Sequence, residues 1–328
     1  MKTFTYAPDV WKCLNGIFCV YKPAHLPTAH VRNTLKIVLC RDLNEMEKRT
    51  PNDLVHLKGT IASGKAFEVE LIPNYADHEL VSGARYQIQD IRIKCLSWLG
   101  RNASGVIPMA INDGCKNVTD YQESKFLSKY EIKGKFGQAT DTFMADGKVR
   151  ERSTFAHIRQ AAIDRLLASI QASHQALAYQ YSGVDLGSQE AYELAKKGII
   201  RPSGKSNPII YSIKCSEFDL PHFVLEVGCI NETDLFLAEL IHQIGVYLRS
   251  SAVCTQLRRI QFGYFTTEHA LLRKHWTLEN ILSNITLCKD ILDGDTFVPT
   301  SAHFKVVKAS DLEQIVLNMQ NKVRQEHL

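Results

Sequence analysis

Between Lys129 and Phe136 the chain reads KYEIKGKF, alternating sides in the manner of an antiparallel strand that is wet on one face and packed on the other. Such a strand needs a sheet beside it and an apolar layer beneath it. Gly16 to Tyr21, GIFCVY, supplies a short apolar run stopped by Lys22-Pro23, which suits a buried strand because proline cannot continue a central ladder. Further strands are expected at 66–73, 86–95, 208–216 and 222–230, and Asp146-Gly147 marks a turn into a returning strand. Helical spacing separates them. Val31, Leu35, Val38 and Leu39 share one face behind Thr28 as a cap, and Ile163, Leu166, Leu167 and Ile170 share another within 155–170. Ser188 to Lys197 runs from a serine cap to Gly198, and the helix expected at 233–249 buries Phe236, Leu240, Ile241, Ile244, Tyr247 and Leu248. The order predicts an α+β fold with segregated strands.

A chain of 328 residues with 45% apolar content can bury a large core. It shows no repeat, low-complexity tract or long linker, so one main domain at 15–290 is expected, with extensions at 1–14 and 291–328. In the second extension Ser310 and Glu313 form a capping box ahead of Leu312, Ile315, Met319 and Val323, an amphipathic helix expected to pack on the domain. A net charge of +4 tolerates a polyanionic partner but falls far short of a nucleic-acid coat protein. Nine cysteines, odd in number and without a C-x-x-C pair, read as reduced and mostly buried thiols of an intracellular protein. No zinc-ligand spacing occurs, and no metal is expected. No apolar run approaches the ~18 to 20 residues of a membrane span, so a soluble chain is expected. Residues 1–14 lack arginine and an apolar core before a cleavage site; they make no secretory signal and a weak mitochondrial one.

Chemistry enters through blocks of residues in a fixed order. These are NGIFCVYKP at Asn15–Pro23, ASGV at Ala103–Val106 with Pro108, GQATDTFMADG at Gly137–Gly147, and YSGVDLGSQEAYELAKKG at Tyr181–Gly198. They continue with LEV at Leu225–Val227, then Gly245, LRR at Leu257–Arg259, Gly263 and Phe265. In that order and spacing they resemble the TruB family of pseudouridine synthases, and most of all its mitochondrial branch. One departure is Asp185, which stands where the family has lysine. The resemblance implies a mixed, largely antiparallel sheet flanked by helices, and a structured RNA, tRNA-like or mitochondrial, as partner. It also implies a mitochondrial location, no DNA, no cofactor, a monomer, and no separate C-terminal RNA-binding domain. Family members flip a uridine from its stack, break its glycosidic bond and rejoin the base through carbon, with an aspartate as the essential group.

That aspartate is missing. Ser97 to Val106 reads SWLGRNASGV and puts Gly100 in the aspartate's place, while counting back from Gly245 puts Ala238 where the family keeps the paired arginine. Glycine offers no nucleophile or base, so a catalytically inactive, RNA-binding member is expected. Two rivals stay open: an active synthase using a displaced carboxylate such as Asp90 or Asp113, and a protein-binding scaffold. Tyr130, Leu257 and Phe236 stand where the resemblance implies contact with the base, although an aromatic on an alternating strand and a leucine before two arginines are also ordinary core residues. Arg101, Lys125, Lys129, Lys133 and Lys135 are the candidates for RNA phosphates, or else a solvated strand face.

Overall fold

A computed structural model describes residues 6–48, 53–59, 68–75, 78–181, 183–185, 187–197 and 207–293. The chain begins with α1 (Ala7–Cys13), β1 (Gly16–Lys22), α2 (Thr28–Glu45), β2 (Leu54–Lys58), β3 (Glu68–Ile72) and the single turn α3 (Glu79–Ser82). It continues through β4 (Ile93–Cys95), β5 (Ser104–Ile111), α4 (Val118–Glu123), β6 (Ser128–Phe136), β7 (Gln138–Thr140) and β8 (Val149–Arg152). Two helices follow, α5 (Gln160–Tyr181) and α6 (Gln189–Lys197). The last elements are β9 (Ile209–Asp219), β10 (His222–Ile230), α7 (Asp234–Tyr247), β11 (Ala252–Phe262), β12 (Phe265–Thr266) and α8 (Leu278–Asp293).

Eight strands form one sheet in the order β1-β5-β11-β6-β10-β9, with β4 on β5 and β12 on β11. Its pairs are antiparallel except where β11 meets β5, Arg258 beside Ser104 and Arg259 beside Gly105. The fold is therefore α+β with a mixed, largely antiparallel sheet, as expected. β6 alternates as its sequence requires: Ser128, Tyr130, Ile132, Gly134 and Phe136 are buried, and the odd-numbered residues face outward. The buried side joins one core with Phe18 and Val20 of β1, Leu35 and Leu39 of α2, Ile163 of α5 and Ile241 of α7. A smaller core on Ile17, Cys19, Val106, Phe126, Phe262 and Cys288 holds the β1–β5 end.

Several expectations change. Thr28 is the first residue of α2 and not its cap; Pro27 takes that position, and the Thr28 hydroxyl donates to the Leu99 carbonyl at 2.7 Å. Of 86–95 only β4 is a strand, because the Asp90 carboxylate accepts the Gln87 N–H and closes a turn ahead of it. The helix of 155–170 starts at Gln160 and runs on to Tyr181. In α7 the buried face is Leu237, Ala238, Leu240, Ile241, Ile244 and Gly245, and Tyr247 is exposed. A Cβ on Gly245 would come 2.4 Å from the Ala252 nitrogen, so this glycine lets α7 seat directly on the start of β11 and turns Tyr247 outward. Ser188 does cap α6, accepting from the Ala191 N–H. The nine cysteines are free, six of them buried. Gly198 and the helix expected after Ser310 lie outside the described residues.

Candidate active site

Residues 97–103, in the loop between β4 and β5, and Ser104 at its end are fastened at nearly every position. Arg259 donates to the Ser97 hydroxyl at 2.5 Å, and Thr28 holds the Leu99 carbonyl. The Gly100 N–H donates to Asp234 Oδ2 at 2.5 Å. Lys22 Nζ donates to the Arg101 carbonyl at 3.1 Å and to the Ala103 carbonyl. Asn102 reaches the Asp146 carboxylate at 2.9 Å, tying the loop to the β7–β8 turn, and Ser104 donates to the Leu257 carbonyl at 3.3 Å. Trp98 projects free of this net, 58% exposed. Gly105, just inside β5, has φ +125°, and a Cβ there would run into the Arg259 carbonyl oxygen. Only glycine fits the parallel β5–β11 contact there.

Beneath the loop the sheet presents charge where a core would be apolar. Lys22 and Arg259 are both fully buried. Arg259 shares a face with Tyr130, its cross-strand partner, and donates from Nε to the Val106 carbonyl at 2.9 Å, while its Nη2 finds no hydrogen-bond partner among the described residues. Two carboxylates lie at and just before the start of α7. Glu232 accepts the Tyr130 hydroxyl at 2.8 Å, and Asp234 opens the helix behind the Thr233 cap. Burial raises the Asp234 carboxyl above its usual range, opposed by the Gly100 N–H, Arg259 and Lys22. Burial likewise lowers the Lys22 ammonium to about 8, against the pull of Asp234. Burial drives the Tyr130 phenol well above its normal value, and Arg259 only partly opposes this.

The structure brings some of the expected site residues together and separates others. Gly100 is exposed at the loop's rim beside exposed Arg101, and Tyr130 and Leu257, each 1% exposed, lie on one face of adjacent strands. Ala238 is 1% exposed within the apolar face of α7. Phe236, two residues earlier and so turned to another side of α7, is half-buried with the His174 ring edge-on at 6.1 Å. Lys129, Lys133 and Lys135 lie on the opposite face of β6 from the Tyr130 ring, so one stem seated over Tyr130 would not reach them. Lys125 lies before β6 at φ +44°, half-buried. Asp90 and Asp113 line a groove with Trp11, Arg92 and Asn112 beyond the far end of β5, roughly 25 Å of strand from the loop. Neither is the carboxylate nearest Gly100; Asp234 is in contact with it, 134 residues away. The one trace of Asp234 in the sequence is its place behind a threonine cap, and Lys22 and Arg259 read there as a strand stop and a motif residue.

Comparison with known proteins gives this arrangement a class. The profile "TruB family pseudouridylate synthase (N terminal domain)" matches residues 97–235, from the loop to the start of α7. The human protein "Pseudouridylate synthase TRUB2, mitochondrial" is 39% identical over 273 residues, 82% of this chain and 82% of its own. "tRNA pseudouridine synthase B" of Clostridium kluyveri is 26% identical over 207 residues, 63% of this chain and 70% of its own. The solved archaeal box H/ACA sRNP Nop10-Cbf5 complex aligns with TM-score 0.45 and 14% identity over 86% of this chain, which spans 58% of that chain. The chain is thus of the pseudouridine-synthase class by descent. Within that class it belongs to the TruB family.

Proposed function

We propose that this chain binds structured RNA, tRNA-like or mitochondrial, as a monomer and carries out no uridine isomerisation. The observation that carries the reading is the state of the loop: residue 100 has no side chain, and the direction its Cβ would take is filled by Asp234 Oδ2, 2.3 Å away. A nucleophile must be held within about half an ångström of its working geometry by supporting side chains. At 238, where the resemblance puts the partner arginine, an alanine is packed in the apolar face of α7. The names of the relatives, one mitochondrial and one acting on tRNA, support the location and the RNA class.

RNA binding needs less than catalysis does. Exposed Arg101 and Trp98 flank the loop, one suited to a phosphate and the other to stacking on a base. By the family resemblance Tyr130, Leu257 and Phe236 are the residues that would meet an extruded base. Lys129, Lys133 and Lys135 would hold a separate stretch of a larger RNA on the other face of the sheet. Among the described residues no helix is long and apolar enough to cross a membrane, and no three metal-ligating side chains cluster.

The test is a titration of Trp98 emission with a stem-loop RNA at rising salt, using Trp98→Phe as the blank for Trp11 and Trp276. Quenching with an affinity that falls steeply between low and physiological salt supports RNA recognition at the loop. Absence of binding at low ionic strength would replace this reading with a protein-binding scaffold.

A further inference from the structure

The carboxylate that the family carries in this loop has been replaced, we infer, by Asp234 reaching in from α7, so that positions 100 and 234 are alternative sources of one half-buried negative charge. This rests on the reading that residue 100 stands where the family keeps its aspartate. In any aspartate the side-chain oxygens lie about 2.4 Å from their own Cβ, from a C–C bond of 1.5 Å and a C–O bond near 1.25 Å. The Asp234 oxygen lies 2.3 Å from the Cβ that residue 100 would have, and its Cγ lies 3.2 Å away. A carboxylate oxygen therefore sits at the radius where a residue-100 aspartate would put its own. Any side chain at 100 displaces it.

Charge explains why a carboxylate is kept there without chemistry. Lys22 and Arg259 are fully buried, and their direct hydrogen bonds go to neutral oxygens: the Pro23, Arg101, Ala103 and Val106 carbonyls and the Ser97 hydroxyl. Two buried cations left without countercharge are costly, and Asp234 is the carboxylate whose charge acts on both. The arginine paired with the family's loop aspartate is also gone, Ala238 standing in its place, so Lys22 and Arg259 are the cations left for a carboxylate here to meet. A carboxylate at the first position of α7 meets them, with the helix end favouring negative charge. Asp234 then acts as a positioning residue: it fixes the Gly100 N–H, and through Lys22 it steadies the carbonyls of Arg101 and Ala103.

The test is a cycle of variants in the full chain, read by thermal unfolding and by Trp98 emission. Asp234→Ala and Gly100→Asp should each lower the folding equilibrium constant roughly tenfold or more, the first by stranding the cations and the second by forcing two carboxylates into one space. Gly100→Asp combined with Asp234→Ala should unfold at a higher temperature than either single variant and restore native Trp98 emission. Gly100→Asn with Asp234→Ala fills the same space without charge and should recover less. If the two variants do not suppress each other, or if Asn rescues as well as Asp, the inference is overturned. RNA binding by the native chain is measured separately, so either result leaves the reading of function to its own test.

Discussion

Replacing Tyr130 by alanine and by phenylalanine separates what its ring contributes from what its hydroxyl contributes. The ring is 1% exposed, enclosed by a core that includes Ile132, Leu237, Ala238 and Leu257. Truncating a fully buried aromatic to alanine costs about 3–5 kcal/mol, lost transfer energy plus the cavity left behind. The hydroxyl donates to Glu232, which is half-buried and can turn to water. Its loss in Tyr130→Phe should cost about 1 kcal/mol, the net value of an ordinary hydrogen bond, since water can take the place of the hydroxyl at Glu232. Denaturant unfolding should therefore show Tyr130→Ala at least 2 kcal/mol below Tyr130→Phe, roughly a thirtyfold difference in folding equilibrium. Measured under conditions where both variants are folded, stem-loop affinity should fall by a further ~1 to 3 kcal/mol in the alanine variant if a base stacks on this ring. Equal instability of the two variants would refute the packing argument, and equal affinities would confine Tyr130 to the core.

Gly105→Ala should destabilise the chain by about 3 kcal/mol or more, measured by denaturant unfolding, because a Cβ at φ +125° would press on the Arg259 backbone. The depressed Lys22 ammonium means that the folded chain binds fewer protons than the unfolded one between about 8 and the ordinary 10.5. Stability relative to Lys22→Met should therefore rise with pH across that window and be lowest below it, as thermal unfolding at stepped pH would show. Lys133→Glu should weaken binding of a long structured RNA while leaving a minimal stem-loop unaffected, since it faces away from the Tyr130 pocket; an equal loss for both RNAs in a filter-binding assay would contradict that placement.

What could be read from the sequence was whatever a short stretch of chain decides by itself. The alternation of KYEIKGKF appears as the burial of β6, and Lys22-Pro23 ends β1 as expected. Local signals failed where a distant partner competes for the same group. Thr28 has the chemistry of a cap, but its hydroxyl is used by Leu99, and Tyr247 has the spacing of a core residue until Gly245 sets the angle of α7. The site divides in the same way. The glycine at 100 and the alanine at 238 are plain in the sequence because motifs flank them. Asp234 was not, because nothing near 100 in the sequence indicates that a carboxylate arrives from a helix 134 residues later.

The most direct measurement is tritium release from stem-loop RNA carrying uridine labelled at carbon 5, incubated with the native chain under conditions where binding is independently seen. The account predicts bound RNA and no release above the protein-free control. It also predicts none from Gly100→Asp with Ala238→Arg while Asp234 still occupies the space beside residue 100. Sustained release by the native chain, abolished in Asp234→Asn with RNA binding intact, would contradict the account and make Asp234 the working carboxylate.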